Sequence, residues 1–309
     1  MKTAFLFPGQ GAQSVGMGKD VAEKFDAAAF VFEKADKVLG YSVSDICFNG
    51  PEDKLNSTVY SQPAIFTMSA AVLEVIRNGA ADTVEPDVCA GLSLGEYTAL
   101  YAAGRISFED GLKLVQKRGE AMQEAADASE GGMVSVLKLD EDKLEQVINE
   151  AAQGELLTAA NFNCPGQIVL SGSTGACERA ARLAEQYGAL KAVTLKVAGA
   201  FHSSMMQPAA DKLAEALKDC DIAQDSQVPV IANVNAEYYT DAASVRDGLC
   251  RQLTQSVLYQ KCVERLLADG CENFYEIGPG RVLTGLMKKI DRKKKVVNLS
   301  NAAAIDAIL

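Results

Sequence analysis

The chain is predicted to be an α/β protein with a largely parallel sheet and a smaller antiparallel unit inserted into it. Three features predict this. Strand-like apolar runs alternate with amphipathic helical stretches through the first 126 residues, the pattern of a sheet covered by helices on both faces. The segment 127–132, rich in small and polar residues, breaks that alternation. The stretch after it reads β-α-β-β-α-β, the order of a ferredoxin-like unit, which about 70 residues can close into an antiparallel sheet under two helices.

Taken in order, Lys2–Phe7 is a strand, residues 18–39 and 62–78 are helical, and residues 86–90 form a short buried strand. Residues 94–103 and 108–126 are helical. Within the inserted unit, 133–139 is a strand, Glu141–Ala152 a helix, 156–162 and 167–172 two strands, 174–187 a helix and 189–197 a strand. The expected division is therefore a large unit of residues 1–127 and 198–309 and a small unit of residues 128–197. A cleft between two such units is a favoured location for a small-molecule site.

Composition bounds the function classes. Apolar residues make up 48% of 309 positions, enough for a sizeable core. A net charge of −11 argues against general nucleic-acid binding, which needs clustered positive charge to displace counterions. Eight widely spaced cysteines without a C-x-x-C pair, and no signal-like segment after Met1-Lys2, read as reduced thiols of a cytoplasmic protein. No apolar run approaches the ~20 residues that cross a bilayer, so no membrane partner is expected.

Chemistry enters with Gly91-Leu92-Ser93-Leu94-Gly95 and with His202, the only histidine in the chain. A serine hydroxyl needs a positioned base near pH 7, and imidazole has the pKa for that task. Alone, a single histidine is commonly a satisfied structural residue, and Gly-x-Ser-x-Gly recurs by chance. Here the pentapeptide falls between a predicted strand and a predicted helix, the setting that a nucleophile elbow requires. The turn exposes the serine hydroxyl, and the helix start points N–H groups at developing negative charge.

Six blocks extend this reading: residues 5–13 around Pro8-Gly9-Gln10-Gly11, residues 91–97, Gln116-Lys117-Arg118-Gly119, residues 161–167, Gly199-Ala200-Phe201-His202-Ser203, and residues 275–280. In this order, over essentially the whole chain, they resemble the malonyl-CoA:acyl-carrier-protein transacylases of the free-standing bacterial type. The resemblance implies an α/β-hydrolase-like core with a ferredoxin-like insertion. It implies malonyl-CoA and holo acyl carrier protein as partners, no cofactor, and a ping-pong cycle through a malonyl-serine ester. By the family's pattern Ser93 is the nucleophile and His202 the general base and acid. Gln10 and Leu94 supply the oxyanion-hole N–H groups, and a backbone carbonyl of Gln252 orients the histidine. Arg118 would bind the malonyl carboxylate through its guanidinium fork. Without the resemblance, Arg118 reads as a solvated residue of a helix that also bears Lys113 and Lys117. Phe201 matches the Ala-Phe-His form associated with malonyl over methylmalonyl, and it equally fits plain core packing.

Leu92 departs from the family's usual Gly-His-Ser and leaves open service to a polyketide synthase. A thioesterase of the α/β-hydrolase kind and a non-catalytic carrier-binding module remain as alternatives. Residues 9–16 lack the spacing of a phosphate-binding glycine loop, so no nucleotide cofactor is expected. Nor is a metal, since catalytic zinc sites favour histidines and one is present. The basic stretch 288–295 reads as a solvated surface run, with a second reading as a local positive patch for an acidic carrier.

Overall fold

A computed structural model describes residues 1–80 and 84–309. Among the described residues, eight strands form two sheets: β1 (Lys2–Phe7), β2 (Val88–Gly91), β3 (Gly131–Leu137), β4 (Leu157–Cys164), β5 (Gln167–Ser173), β6 (Lys191–Thr194), β7 (Cys271–Ile277) and β8 (Val296–Leu299). The first sheet has the order β2-β1-β7-β8 and is parallel throughout. The second has the order β4-β5-β3-β6, antiparallel throughout, which is the ferredoxin-like arrangement. The fold is thus an α/β-hydrolase-like core with an inserted ferredoxin-like β-α-β-β-α-β unit.

The parallel sheet is most deeply buried and most apolar in β1 and β2, as strands covered on both faces are. In β1, Ala4 through Phe7 are buried, and all four residues of β2 are buried. The segment after Pro229 runs beside β2, with Cys89 donating its N–H to the Pro229 carbonyl and accepting from Ile231. It thereby delivers Asn233 to the end of β2. At the end of β7 the buried Glu276 carboxylate accepts the N–H groups of Leu283 and Thr284. Those are orphan donors of the Val282–Ile290 helix, so the acid both caps the helix and fixes it to the sheet.

The helix of residues 18–39 is two helices, Lys19–Lys24 and Asp26–Leu39, parted at Phe25, whose backbone is extended. The last strand of the small sheet is shorter than 189–197, because only Lys191–Thr194 pairs with β3. The expectation about apolar runs needs a larger correction. The Thr58–Gly79 helix is long and apolar enough to cross a membrane, yet 83% of its apolar window is buried inside the protein. Ser61, Gln62, Thr67 and Ser69 interrupt the apolar run, which hid its length in the sequence.

Candidate active site

Ser93 follows β2 directly and precedes the Gly95–Ala102 helix. Its φ is 51°, a left-handed conformation that costs a non-glycine residue on the order of 1–3 kcal/mol. The surroundings enforce it. Asn233 Oδ1 accepts the Ser93 N–H at 2.7 Å, and Asn233 Nδ2 donates to the Gly91 carbonyl at 2.8 Å, so one amide holds both ends of the elbow. Glycine is required around the turn for a different reason. A Cβ on Gly9 would lie 2.3 Å from the Leu92 oxygen, one on Gly95 2.0 Å from the Phe7 oxygen, and one on Gly91 1.9 Å from the Gly95 carbonyl carbon. The β1 turn and the elbow therefore interlock backbone on backbone.

His202 also has a left-handed backbone, with φ 57°, and lies on the connection between β6 and the Gln207–Lys218 helix. Its Nε2 is 2.9 Å from Ser93 Oγ. Its Nδ1 is 2.7 Å from the Gln252 carbonyl oxygen, and Gln252 sits on the Ala242–Thr254 helix. With Nδ1 donating to that carbonyl, Nε2 is left as the acceptor that faces the serine. Burial, followed by the nearby Arg118 charge, lowers the His202 pKa to about 4, while the Gln252 hydrogen bond acts the other way. The imidazole is neutral at pH 7 and ready to accept a proton.

Arg118, on the Phe108–Asp127 helix, is 1% exposed, which removes the solvated reading. Its Nη1 donates to Gln62 Oε1 at 2.7 Å, and its Nη2 donates to Ser93 Oγ at 3.0 Å and to Gln252 Oε1 at 2.9 Å. The Tyr97 ring lies 5.4 Å from its guanidinium carbon. All three hydrogen-bond acceptors are neutral. Burial pulls the Arg118 pKa below its ordinary value, although a guanidinium stays charged at neutral pH.

The serine, histidine and arginine open onto a cleft of about 880 Å³. Gln10, Leu92 and Phe201 line it from the side of the parallel sheet, and Met133, Asn161, Asn163 and Val169 line it from the small sheet. Leu92 lies in the cleft wall beside the nucleophile and packs on the apolar cluster under the parallel sheet. Leu94 starts the helix after the elbow. The N–H groups of Gly95, Glu96 and Tyr97 close tight turns on Leu92, Ser93 and Leu94, and among the described residues none accepts the N–H of Leu94 or Gln10. Gln10, Leu92, Ser93, Arg118, Phe201 and His202 thus line this cleft, while Leu94 follows Ser93 in the chain and Gln252 is hydrogen-bonded to His202.

Asn233, Gln62 and Glu96 were not legible in the sequence. Glu96 did leave a signal, as the lone charged residue of the otherwise apolar Gly95–Ala102 helix, where it is fully buried. Among the described residues no cluster of three or more His, Cys, Asp or Glu side chains could hold a metal ion.

An α/β core with a serine on a strand-to-helix elbow and a histidine hydrogen-bonded to it defines a class, the serine-dependent acyl-transfer proteins. The chain belongs to the acyl transferase family, whose acyl transferase domain matches residues 4–305. It is 45% identical to the malonyl CoA-acyl carrier protein transacylase of Bacillus subtilis over 306 residues, covering 99% of this chain and 95% of that one. An acyl carrier protein S-malonyltransferase of Vibrio cholerae superposes with a TM-score of 0.95 at 40% identity, over 100% of both chains. A malonyl-transacylase in complex with a type II polyketide synthase acyl-carrier protein superposes with a TM-score of 0.96 at 38% identity, over 100% of this chain and 99% of that one.

Proposed function

We propose that this protein moves the malonyl group of malonyl-CoA to the phosphopantetheine thiol of holo acyl carrier protein, supplying fatty-acid synthesis. The observation that carries this reading is Arg118, a buried cation that reaches the nucleophile and has only neutral hydrogen-bond partners. A free carboxylate on the acyl group would give Arg118 a directly bonded anion, beyond the field of the buried Glu96, and malonyl has one where acetyl does not.

The residues divide the work as follows. Ser93 Oγ attacks the thioester carbonyl while His202 Nε2 takes its proton. The N–H groups of Gln10 and Leu94 hold the oxyanion. Coenzyme A leaves with the proton from His202, and malonyl remains as an ester on Ser93. The carrier thiol then gives its proton to His202 and attacks the ester, regenerating Ser93. The Gln252 carbonyl keeps the imidazole in one tautomer without adding charge. Phe201, 5% exposed beside His202, narrows the pocket against a branched acyl group.

The same proposal divides the chain into a catalytic unit of residues 1–127 and 198–309 and a small unit of residues 128–197. It sets the protein in the cytoplasm, which the eight unpaired cysteines support. A second reading, service to a polyketide synthase, is favoured by the solved neighbour in complex with a polyketide carrier protein.

The test is intact-protein mass spectrometry after brief exposure to malonyl-CoA, acetyl-CoA or methylmalonyl-CoA, followed by holo acyl carrier protein of either pathway. A malonyl adduct on Ser93 that discharges onto the carrier is expected. Release as free malonate would instead identify a thioesterase, and carrier binding without any adduct a non-catalytic module.

A further inference from the structure

Glu96 is a carboxylate with no exposed surface, in the first turn of the helix that follows the nucleophile. Burying such a group is costly unless donors surround it, so its partners need an explanation. Its Oε2 accepts two hydrogen bonds, from the Asn233 N–H at 2.9 Å and from Gln252 Nε2 at 2.9 Å. Its Oε1 accepts from the Tyr239 hydroxyl. The two donors on Oε2 are not arbitrary. Asn233 is the residue whose side chain brackets the elbow, on Gly91 O and Ser93 N–H. Gln252 is the residue whose carbonyl receives His202 Nδ1, and its Nε2 also reaches the Ser93 carbonyl at 3.0 Å. Neither donor can reverse its role, because a backbone N–H and an amide NH₂ only donate.

We propose that Glu96 is a positioning residue for acyl transfer, whose single oxygen Oε2 ties the holder of the nucleophile to the holder of the base. The proposal rests on the reading of Ser93 and His202 as the acyl-transfer pair. In a hydrolase triad an acid touches the histidine directly. Here the acid stands one residue back, and it aligns both reacting groups at once. Ser93 and His202 are both held in left-handed backbone conformations, so each needs an outside constraint to stay there. Gln252 also accepts from Arg118 through Oε1, but Arg118 keeps Gln62 as a partner that does not depend on Glu96.

The experiment follows malonyl-Ser93 formation by rapid quench in the full-length protein, with the rate constant expressed per acylatable serine. Glu96→Ala leaves the Asn233 N–H without its acceptor and Gln252 Nε2 with the Ser93 carbonyl alone, and is expected to slow the saturating rate constant about a hundredfold, as a small misalignment of reacting groups does. Glu96→Gln keeps the shape and an oxygen for both donors but removes the charge that strengthens their hydrogen bonds, and is expected to slow the rate about three- to tenfold. Half-saturation by malonyl-CoA should stay within about twofold in both, because Glu96 does not line the cleft. A purely structural role would lower the melting temperature or the number of acylatable serines and leave the rate per site unchanged, and that result would overturn the proposal. Should Glu96→Ala fail to fold, Glu96→Gln decides, since a native rate per site in that variant is equally fatal. If the native protein itself forms no malonyl-Ser93, the acyl-transfer reading fails, and the two failures are thereby distinct.

Discussion

The two sheets that flank the cleft differ in the charge they bury. Around the parallel sheet lie Glu96, Arg105, Arg118 and Glu276, the buried charged Asp, Glu, Lys and Arg side chains among the described residues, together with His202, Asn233 and Gln252. The antiparallel sheet buries the neutral Ser135, Asn163 and Ser171 but no charge among the described residues, encloses an apolar cluster of Val134, Val136, Leu170 and their neighbours, and gives the cleft a wall. Desolvating polar groups costs stability unless they are paired, so they concentrate where chemistry repays the cost. Reactivity and cavity shape are therefore assigned to different parts of the chain. This assignment can be attacked from either side.

The largest effect should come from Ser93→Ala, which is expected to abolish the acyl adduct and to lower transfer by at least about a thousandfold. His202→Ala should cost about 10²- to 10⁴-fold in acylation. In the native protein, acylation should rise with pH through about pH 4, where His202 loses its proton, and then stay level toward neutrality as far as this group governs it. The sign follows from the base, since a protonated imidazole cannot take the serine proton. Removing the Arg118 charge removes one cause of that low pKa, so Arg118→Ala should move the midpoint upward in a pH–rate profile.

Selectivity is the next level. Arg118→Ala should reduce acylation by malonyl-CoA about 10- to 100-fold more than acylation by acetyl-CoA, the scale of a charge-assisted hydrogen-bond pair. Equal losses with both donors would mean that Arg118 supports the site without reading the carboxylate. The smallest effect should come from the wall. Val169→Ala is expected to change preference among acyl groups by no more than about tenfold and to leave the reactivity of Ser93 toward a small phosphonofluoridate unaltered. A wall substitution that silenced the serine would erase the contrast between the sheets.

The same contrast explains what the sequence disclosed. Local periodicity carried β1 and the Glu141–Ala152 helix to their ends, because alternation and amphipathicity are properties of neighbours along the chain. The elbow was legible because strand, glycines, serine and helix are contiguous. Phe25 escaped notice because an extended residue between two helices leaves no proline or glycine behind. The segment 198–309 was read through His202, Gln252 and short matching blocks, without its helices. Asn233 and Gln62 were invisible for a different reason. Asn233 is 140 residues from Ser93, and Gln62 is 56 residues from Arg118. A buried amide acquires its meaning only when folding brings its partner, and nothing in the adjacent sequence encodes that meeting. Glu96 stood between these cases, since an acid in an apolar helix announces a partner without naming it.

The glycine interlock of the β1 turn and the elbow has a consequence for redesign. Gln10 and Leu94 come from two segments that approach each other most closely through main-chain atoms. The spacing of their two N–H groups is thus independent of rotamer choice in the pocket. Side chains such as Phe201, Met133 or Val169 can be exchanged to admit new acyl groups while the distance between those donors is kept. An engineer altering the menu of this enzyme works in a room whose frame is already fixed.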